Sequence, residues 1–113
     1  MFNQMVEHKL DTVFAALSDP TRRSIVEALM AGEQRVTALA EPFDMSLNAV
    51  SKHIKKLEAA VLVRRKRIGR EHFLEAEPAA MEAAADWIEE QRKFWNARLD
   101  RLEALIREEI ANE

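Results

Sequence analysis

The segment MSLNAVSKHIKKLEAA, Met45 to Ala60, puts Asn48, Ser51, Lys52 and Lys55 at helical spacing along one side of a short helix. All four are hydrogen-bonding or cationic, and no carboxylate stands among them. Asn offers a donor and an acceptor together, Ser can do either, and Lys only donates. Such a face suits a surface that displays acceptors in a fixed order beside negative charge. On the opposite side Leu47, Val50, Ile54 and Leu57 recur at spacings of three, four and three, an apolar stripe that must be buried.

That helix needs a frame. Leu10, Val13, Phe14 and Leu17 mark a first helix reaching back toward Val6. In SDPTRRSIVEALMAG, Asp19 can cap a second helix, Pro20 suits its first position, and Ile25, Val26 and Leu29 form its buried side until Gly32 ends it. Val36, Leu39, Ala40 and Phe43 predict a third helix of about two turns. Asp44-Met45 is a tight connection, and Ser46 is a good N-cap for the helix that follows.

After Ala60 the texture changes. LVRRKRIGREHFLEAE has β-branched and aromatic residues around a Gly-Arg turn, which predicts a hairpin: residues 63–67, a turn near 68–70, then 71–74. Pro78 opens a last segment that runs almost to residue 113 without another breaker, some 50 Å if helical. The expected fold is mainly α, a winged helix-turn-helix with a two-stranded wing and a long C-terminal dimerisation helix. Residues 8–75 would form the core and 78–112 the last helix of one domain.

Composition narrows the classes. The chain has 113 residues, 48% hydrophobic and 33% charged, which describes a globular rather than a disordered protein. No apolar run approaches the roughly 18 residues of a membrane span, and the start, MFNQMVEHKLD, lacks a secretory layout. A cytoplasmic protein without membrane contact is the default expectation. With no cysteine, disulfides, thiolate metal sites and cysteine nucleophiles are excluded together. The net charge of −3 argues weakly against nucleic acid, but its distribution argues for it. Residues 46–70 hold eight cations and one anion, Glu58, while the rest of the chain holds nine cations and nineteen anions. A basic block in an acidic molecule is a directional footprint.

Two helices joined by a tight turn, the second with a cationic polar face, and a hairpin directly after it, point to double-stranded DNA. Asn48 can pair with adenine, Ser51 can donate or accept, and Lys52 can reach guanine. Lys55 and Lys56 suit phosphates. Arg65, Arg67 and Arg70, with Arg64 and Lys66, would neutralise backbone charge or enter a minor groove.

DPTRRSIV, MSLNAVSKHIKKLEAA and LVRRKRIGREHFL together resemble the ArsR/SmtB family of bacterial winged helix-turn-helix repressors, over residues 8–75. The resemblance implies a homodimer on an inverted-repeat operator, released by a signal. It also implies Asn48, Ser51, Lys52 and His53 on the recognition helix and Arg70 on the wing. The chain departs from the family at Val61, where a Gly usually closes the recognition helix. Gly there takes a left-handed cap that a β-branched residue resists.

Metal-responsive members of that family use thiolates on the helix before the recognition helix, or Asp, His and Glu on the last helix. Here VTALAEPFD contains neither Cys nor His, and the last helix has no histidine. His8, His53 and His72 fall on three elements without ligand spacing, so no metal and no cofactor is expected. Phosphate loops, nucleophile elbows and metalloprotease helices are also absent from the sequence, which disfavours an enzyme.

The last helix sets Met81, Ala84, Ile88, Trp95, Leu99, Leu102 and Ile106 close to a heptad stripe, widened by Trp87, Phe94 and Leu105. So broad an apolar face exceeds what the remaining residues can cover, and exposed it would invite aggregation. The expected solution is a twin: Trp87, Ile88, Phe94, Trp95, Leu99, Leu102 and Ile106, with Leu10 and Phe14 beside them, pairing across a two-fold axis. Two other readings stand: a protein-interaction module that uses this aromatic helix, and a pocket at the dimer interface for a small-molecule inducer. The inducer itself is not legible.

Overall fold

The computed structural model describes the backbone of residues 4–113 and the side chains of residues 9–113; the expectations for Val6 and His8 lie outside those side chains. Five helices and three strands follow in order: α1 (Gln4–Leu17), α2 (Pro20–Leu29), β1 (Gln34–Arg35), α3 (Val36–Ala40), α4 (Leu47–Ala59), β2 (Val63–Ile68), β3 (Glu71–Ala76) and α5 (Pro78–Ala111).

Local chemistry sets the starts. The Asp19 carboxylate accepts the Arg22 backbone N–H at 3.1 Å, with Pro20 opening α2. The Ser46 hydroxyl accepts the Ala49 N–H at 3.1 Å and starts α4. Each cap satisfies one of the donors a helix start leaves orphaned. The α3 helix is shorter than its apolar spacing predicts. It ends at Ala40, leaving Phe43 half-buried in the turn, because Pro42 cannot continue it.

Ile25, Val50, Ile54, Leu57, Leu62 and Leu74 are fully buried and tie α2, α4 and the hairpin into one core. Each such side chain contributes about 1.5–3 kcal/mol. Leu47 corrects the expected stripe. It stands at the first position of α4, beyond the core's reach, and is 54% exposed.

The hairpin is longer than predicted, pairing Val63 with Ala76 through Ile68 with Glu71 around Gly69 and Arg70. Gly69 takes φ +64°, the left-handed backbone this tight turn requires. A third strand appears as well. β1 pairs with β3, Gln34 opposite Leu74 and Arg35 opposite Phe73, so the wing is three-stranded in the order β1-β3-β2.

Val61 takes φ +56°, so the chain keeps the left-handed cap despite the β-branched residue. The Val61 N–H bonds the Glu58 carbonyl at 3.0 Å and the Leu62 N–H bonds the Leu57 carbonyl at 3.1 Å. This is a Schellman closure, and Leu57 and Leu62, both buried, make its apolar contact. The wing therefore leaves α4 as it would after a glycine.

Only the first turns of α5 meet the core. Ala84 is buried, Met81 and Trp87 are half-buried, and the Trp87 ring meets Phe14 of α1 edge-on at 5.9 Å. Every residue from 90 to 113 is exposed. At 1.5 Å per residue the helix runs about 51 Å, the larger part of the 75 Å long axis of the molecule. Leu10, expected at a partner-facing surface, is instead buried in its own core.

Candidate nucleic-acid interface

Helix α4 places its two stripes as the spacing requires. Val50, Ile54 and Leu57 point inward, while Asn48, Lys52, Lys55 and Lys56 are exposed and Ser51 is half-buried. None of these five polar side chains is drawn into a hydrogen bond or ion pair among the described residues, so the face is chemically open. Beside it the hairpin tip offers Arg70, exposed and likewise unpaired. Arg67 lies next to it, its Nε donating to the Gly69 carbonyl at 3.0 Å.

The rest of the basic block is neutralised. Arg64 bonds Glu75 through Nε at 2.9 Å, Lys66 Nζ lies 2.9 Å from Glu33, and Arg65 lies 3.0 Å from Glu58 of α4. Arg64 faces Glu75 directly in the hairpin register, and Lys66 and Arg35 share that outer face of the sheet, where Arg35 pairs with Glu71 at 3.2 Å. Arg64's hydrogen bond, reinforced by its charge, holds the Glu75 carboxyl below the ordinary carboxylate range. The bond to Glu33 and that carboxylate's charge raise the Lys66 ammonium above its usual value. Unpaired positive charge is thus concentrated on α4 and the hairpin tip rather than spread over the wing. Arg65, expected to be a free wing cation, instead ties β2 to α4.

Between the start of α4 and the wing lies a concavity of about 350 Å³ lined by Arg35, Thr37, Leu47, Ser51, Arg65 and Arg70. Arg35, Thr37 and Leu47 are not among the residues the sequence singles out for this surface. Arg35 reaches the concavity through the β1–β3 pairing, Thr37 stands on α3, and Leu47 reads as core by its spacing.

His53 does not share the open face. Its ring turns toward α2, where Nδ1 lies 3.1 Å from Arg22 Nη1 and 3.8 Å from Asp19 Oδ2. His72 lies exposed on β3. Among the described residues no three His, Asp or Glu side chains gather as a metal site requires.

Residues 17–66 match the family model described as a helix-turn-helix domain. The HTH-type transcriptional regulator Rv2034 of Mycobacterium tuberculosis is 34% identical over 96 residues, covering 85% of this chain and 87% of that protein. The crystal structure of the ArsR family transcriptional regulator RHA00566 superposes with a TM-score of 0.76 at 37% identity, over 80% of this chain and 93% of that one. The chain belongs to the ArsR/SmtB family. As an ArsR/SmtB member it is a helix-turn-helix transcription regulator and not an enzyme, and the matched helix-turn-helix domain spans α2, α3 and α4. A further relative, the transcriptional repressor SdpR of Bacillus subtilis, is 29% identical over 79 residues, 70% of this chain and 88% of that protein. Among the described residues no helix is long and apolar enough to cross a membrane.

Proposed function

We propose that the protein is a homodimeric, sequence-specific repressor that binds an inverted-repeat operator in the cytoplasm. The observation that carries this reading is the open face of α4. Among the described residues Asn48, Ser51, Lys52, Lys55 and Lys56 stand unpaired beside Arg70, while Arg64, Arg65 and Lys66 are matched by carboxylates. Asn48, Ser51 and Lys52 meet base edges in a major groove. Leu47 packs on a thymine methyl, and Lys55, Lys56, Arg67 and Arg70 meet phosphates.

The long helix supports the dimer. Ile88, Phe94, Trp95, Leu99, Leu102 and Ile106 are all exposed, Phe94 by 71% and Trp95 by 61%. A second copy buries them and sets two recognition helices about 34 Å apart, one helical turn of DNA. Phe14 and Trp87 lie at the near edge of this face. The acidic α5 lies away from phosphates, which orients the basic face toward them. Repression is the role that the relative SdpR bears in its name.

Titrating labelled promoter DNA from the source genome at several salt concentrations tests the reading. Cognate DNA is expected to bind at least tenfold tighter than a scrambled duplex. Equal affinity would end the specific-repressor reading, and a stable monomer without DNA affinity would favour an interaction module.

A cavity of about 720 Å³ favours a second reading, control by a small apolar ligand. Leu10, Ala60, Val61, Ala80, Ala83 and Trp87 line it, so an occupant would touch both the end of α4 and the root of α5.

A further inference from the structure

Arg22 bears a buried charge that no DNA contact explains. It is 7% exposed. Its Nε donates to the Ala16 carbonyl at 2.6 Å and its Nη2 to the Ala15 carbonyl at 3.2 Å. Both carbonyls lie in the last turn of α1; that of Ala15 also accepts the Ser18 backbone N–H at 3.2 Å and the Ser18 hydroxyl at 2.6 Å. The remaining arm, Nη1, crosses to His53 Nδ1 on α4 at 3.1 Å. One side chain thus joins α1, α2 and the recognition helix.

A guanidinium has donors and no acceptor, so His53 Nδ1 must accept. The imidazole is therefore neutral, with its proton on Nε2. Asp19 Oδ2 lies 3.8 Å from the same nitrogen. Asp19 is anchored by capping α2, and that backbone bond from Arg22 keeps its carboxyl below the ordinary range, so it stays ionised wherever histidine titrates. The charged groups facing the ring across the helix contacts are Arg22 and Asp19, both from α2. Among the described residues α1 contributes the two carbonyls bonded by Arg22, and Lys52 and Lys56, exposed on α4, are one and three positions from His53 in sequence.

We infer that Arg22 is a positioning residue for the recognition helix. Its bond to neutral His53 holds α4 against α1 and α2, and a proton on His53 exchanges that partner for Asp19 and weakens sequence-specific binding. Protonation turns Nδ1 from acceptor into donor. The Arg22 contact then becomes a meeting of like charges, and Asp19 is the acceptor left. The ring moves toward Asp19, and α4 loses its tie to the α1 terminus. The added charge meanwhile favours any phosphate backbone. Affinity for arbitrary duplex should rise while discrimination falls, and that opposition separates this device from simple electrostatics.

The inference rests on the DNA-binding reading, and its test has an arm that does not. In the free full-length protein, nitrogen-15 NMR of the imidazoles at about pH 7.5 should show His53 neutral and protonated on Nε2. A proton on Nδ1 at that pH overturns the inference. The second arm measures the ratio of cognate to scrambled affinity from about pH 8 to 5.5. The ratio for the unmodified protein should fall about tenfold, and His53→Gln, whose amide oxygen still accepts from Arg22, should give a flat profile. Matching profiles for the two proteins overturn the inference. Absence of any cognate preference at every pH would instead strike the DNA reading, and the NMR arm would then decide the Arg22–His53 bond alone.

Discussion

Leu62 donates its backbone N–H to the carbonyl of Leu57 across 3.1 Å, and this bond closes α4 over a left-handed Val61. Left-handed backbone costs an L residue about 1–2 kcal/mol, and β-branched residues tolerate it worst. The Val61 side chain is 57% exposed, so little burial offsets that strain. A glycine would relieve it but loosen the unfolded chain by about 0.4–1 kcal/mol. Val61→Gly should therefore raise the unfolding free energy by about 1 kcal/mol, read as a higher urea midpoint at unchanged slope. An unchanged or lower midpoint would mean that contacts, not strain, govern this cap.

Lys52 and Arg65 should separate discrimination from attraction. Lys52→Ala is expected to cost about 1–3 kcal/mol on cognate DNA and to relax specificity. Arg65 is held by Glu58 at 3.0 Å. With its guanidinium already held by Glu58, Arg65→Ala should leave the salt dependence nearly unchanged, whereas Glu58→Gln should free the guanidinium and steepen it by about one unit. Salt-dependent binding isotherms of the three variants check this; an unchanged slope for Glu58→Gln would show that Arg65 does not reach phosphate.

The distal half of α5 should matter for assembly and not for the subunit's fold. Leu99 and Trp95 lie among residues that are all exposed, clear of the core. Leu99→Glu should halve the sedimenting mass and lower operator affinity roughly 100-fold, because two linked half-sites bind far more tightly than one. Far-ultraviolet dichroism should still show a helical subunit. A dimer of unchanged mass would place the interface elsewhere.

Acid should weaken the fold through particular carboxylates. Glu75 and Asp19 both sit below the ordinary range in the folded chain, Glu75 first through Arg64's hydrogen bond and Asp19 first through the backbone N–H of Arg22. A depressed folded value means the unfolded chain binds the proton more readily. Their stabilisation is therefore complete above the unfolded value near pH 4 and is lost as the pH falls through the folded one. Urea midpoints should stay level from about pH 7 to 5 and drop below about pH 4, less steeply in Glu75→Gln. An identical drop in that variant would remove Glu75 from the account.

What was legible in the chain was what depends on near neighbours. The Asp19 and Ser46 caps, the α4 stripe and the Gly69 turn each arise within a few residues. Long pairings were not legible. β1 is two residues long and exists only because Leu74 and Phe73 lie opposite it. The Arg22–His53 bond spans 31 positions, and the DPTRR motif flagged the arginine without its partner. The net charge of residues 46–70 overstated the free charge, because Glu33, Glu75 and Glu77 come from outside that stretch to meet Lys66 and Arg64. Leu47 shares the spacing of buried residues, but the core ends one turn short of it.

Dimethyl sulfate footprinting on the operator tests the central claim most directly, because the reagent marks guanine N7 in the major groove and adenine N3 in the minor groove. The account predicts two protected guanine clusters about one helical turn apart on one face of the duplex, each lost in Lys52→Ala. Protection confined to adenine N3, or a single cluster unchanged by Lys52→Ala, would contradict it.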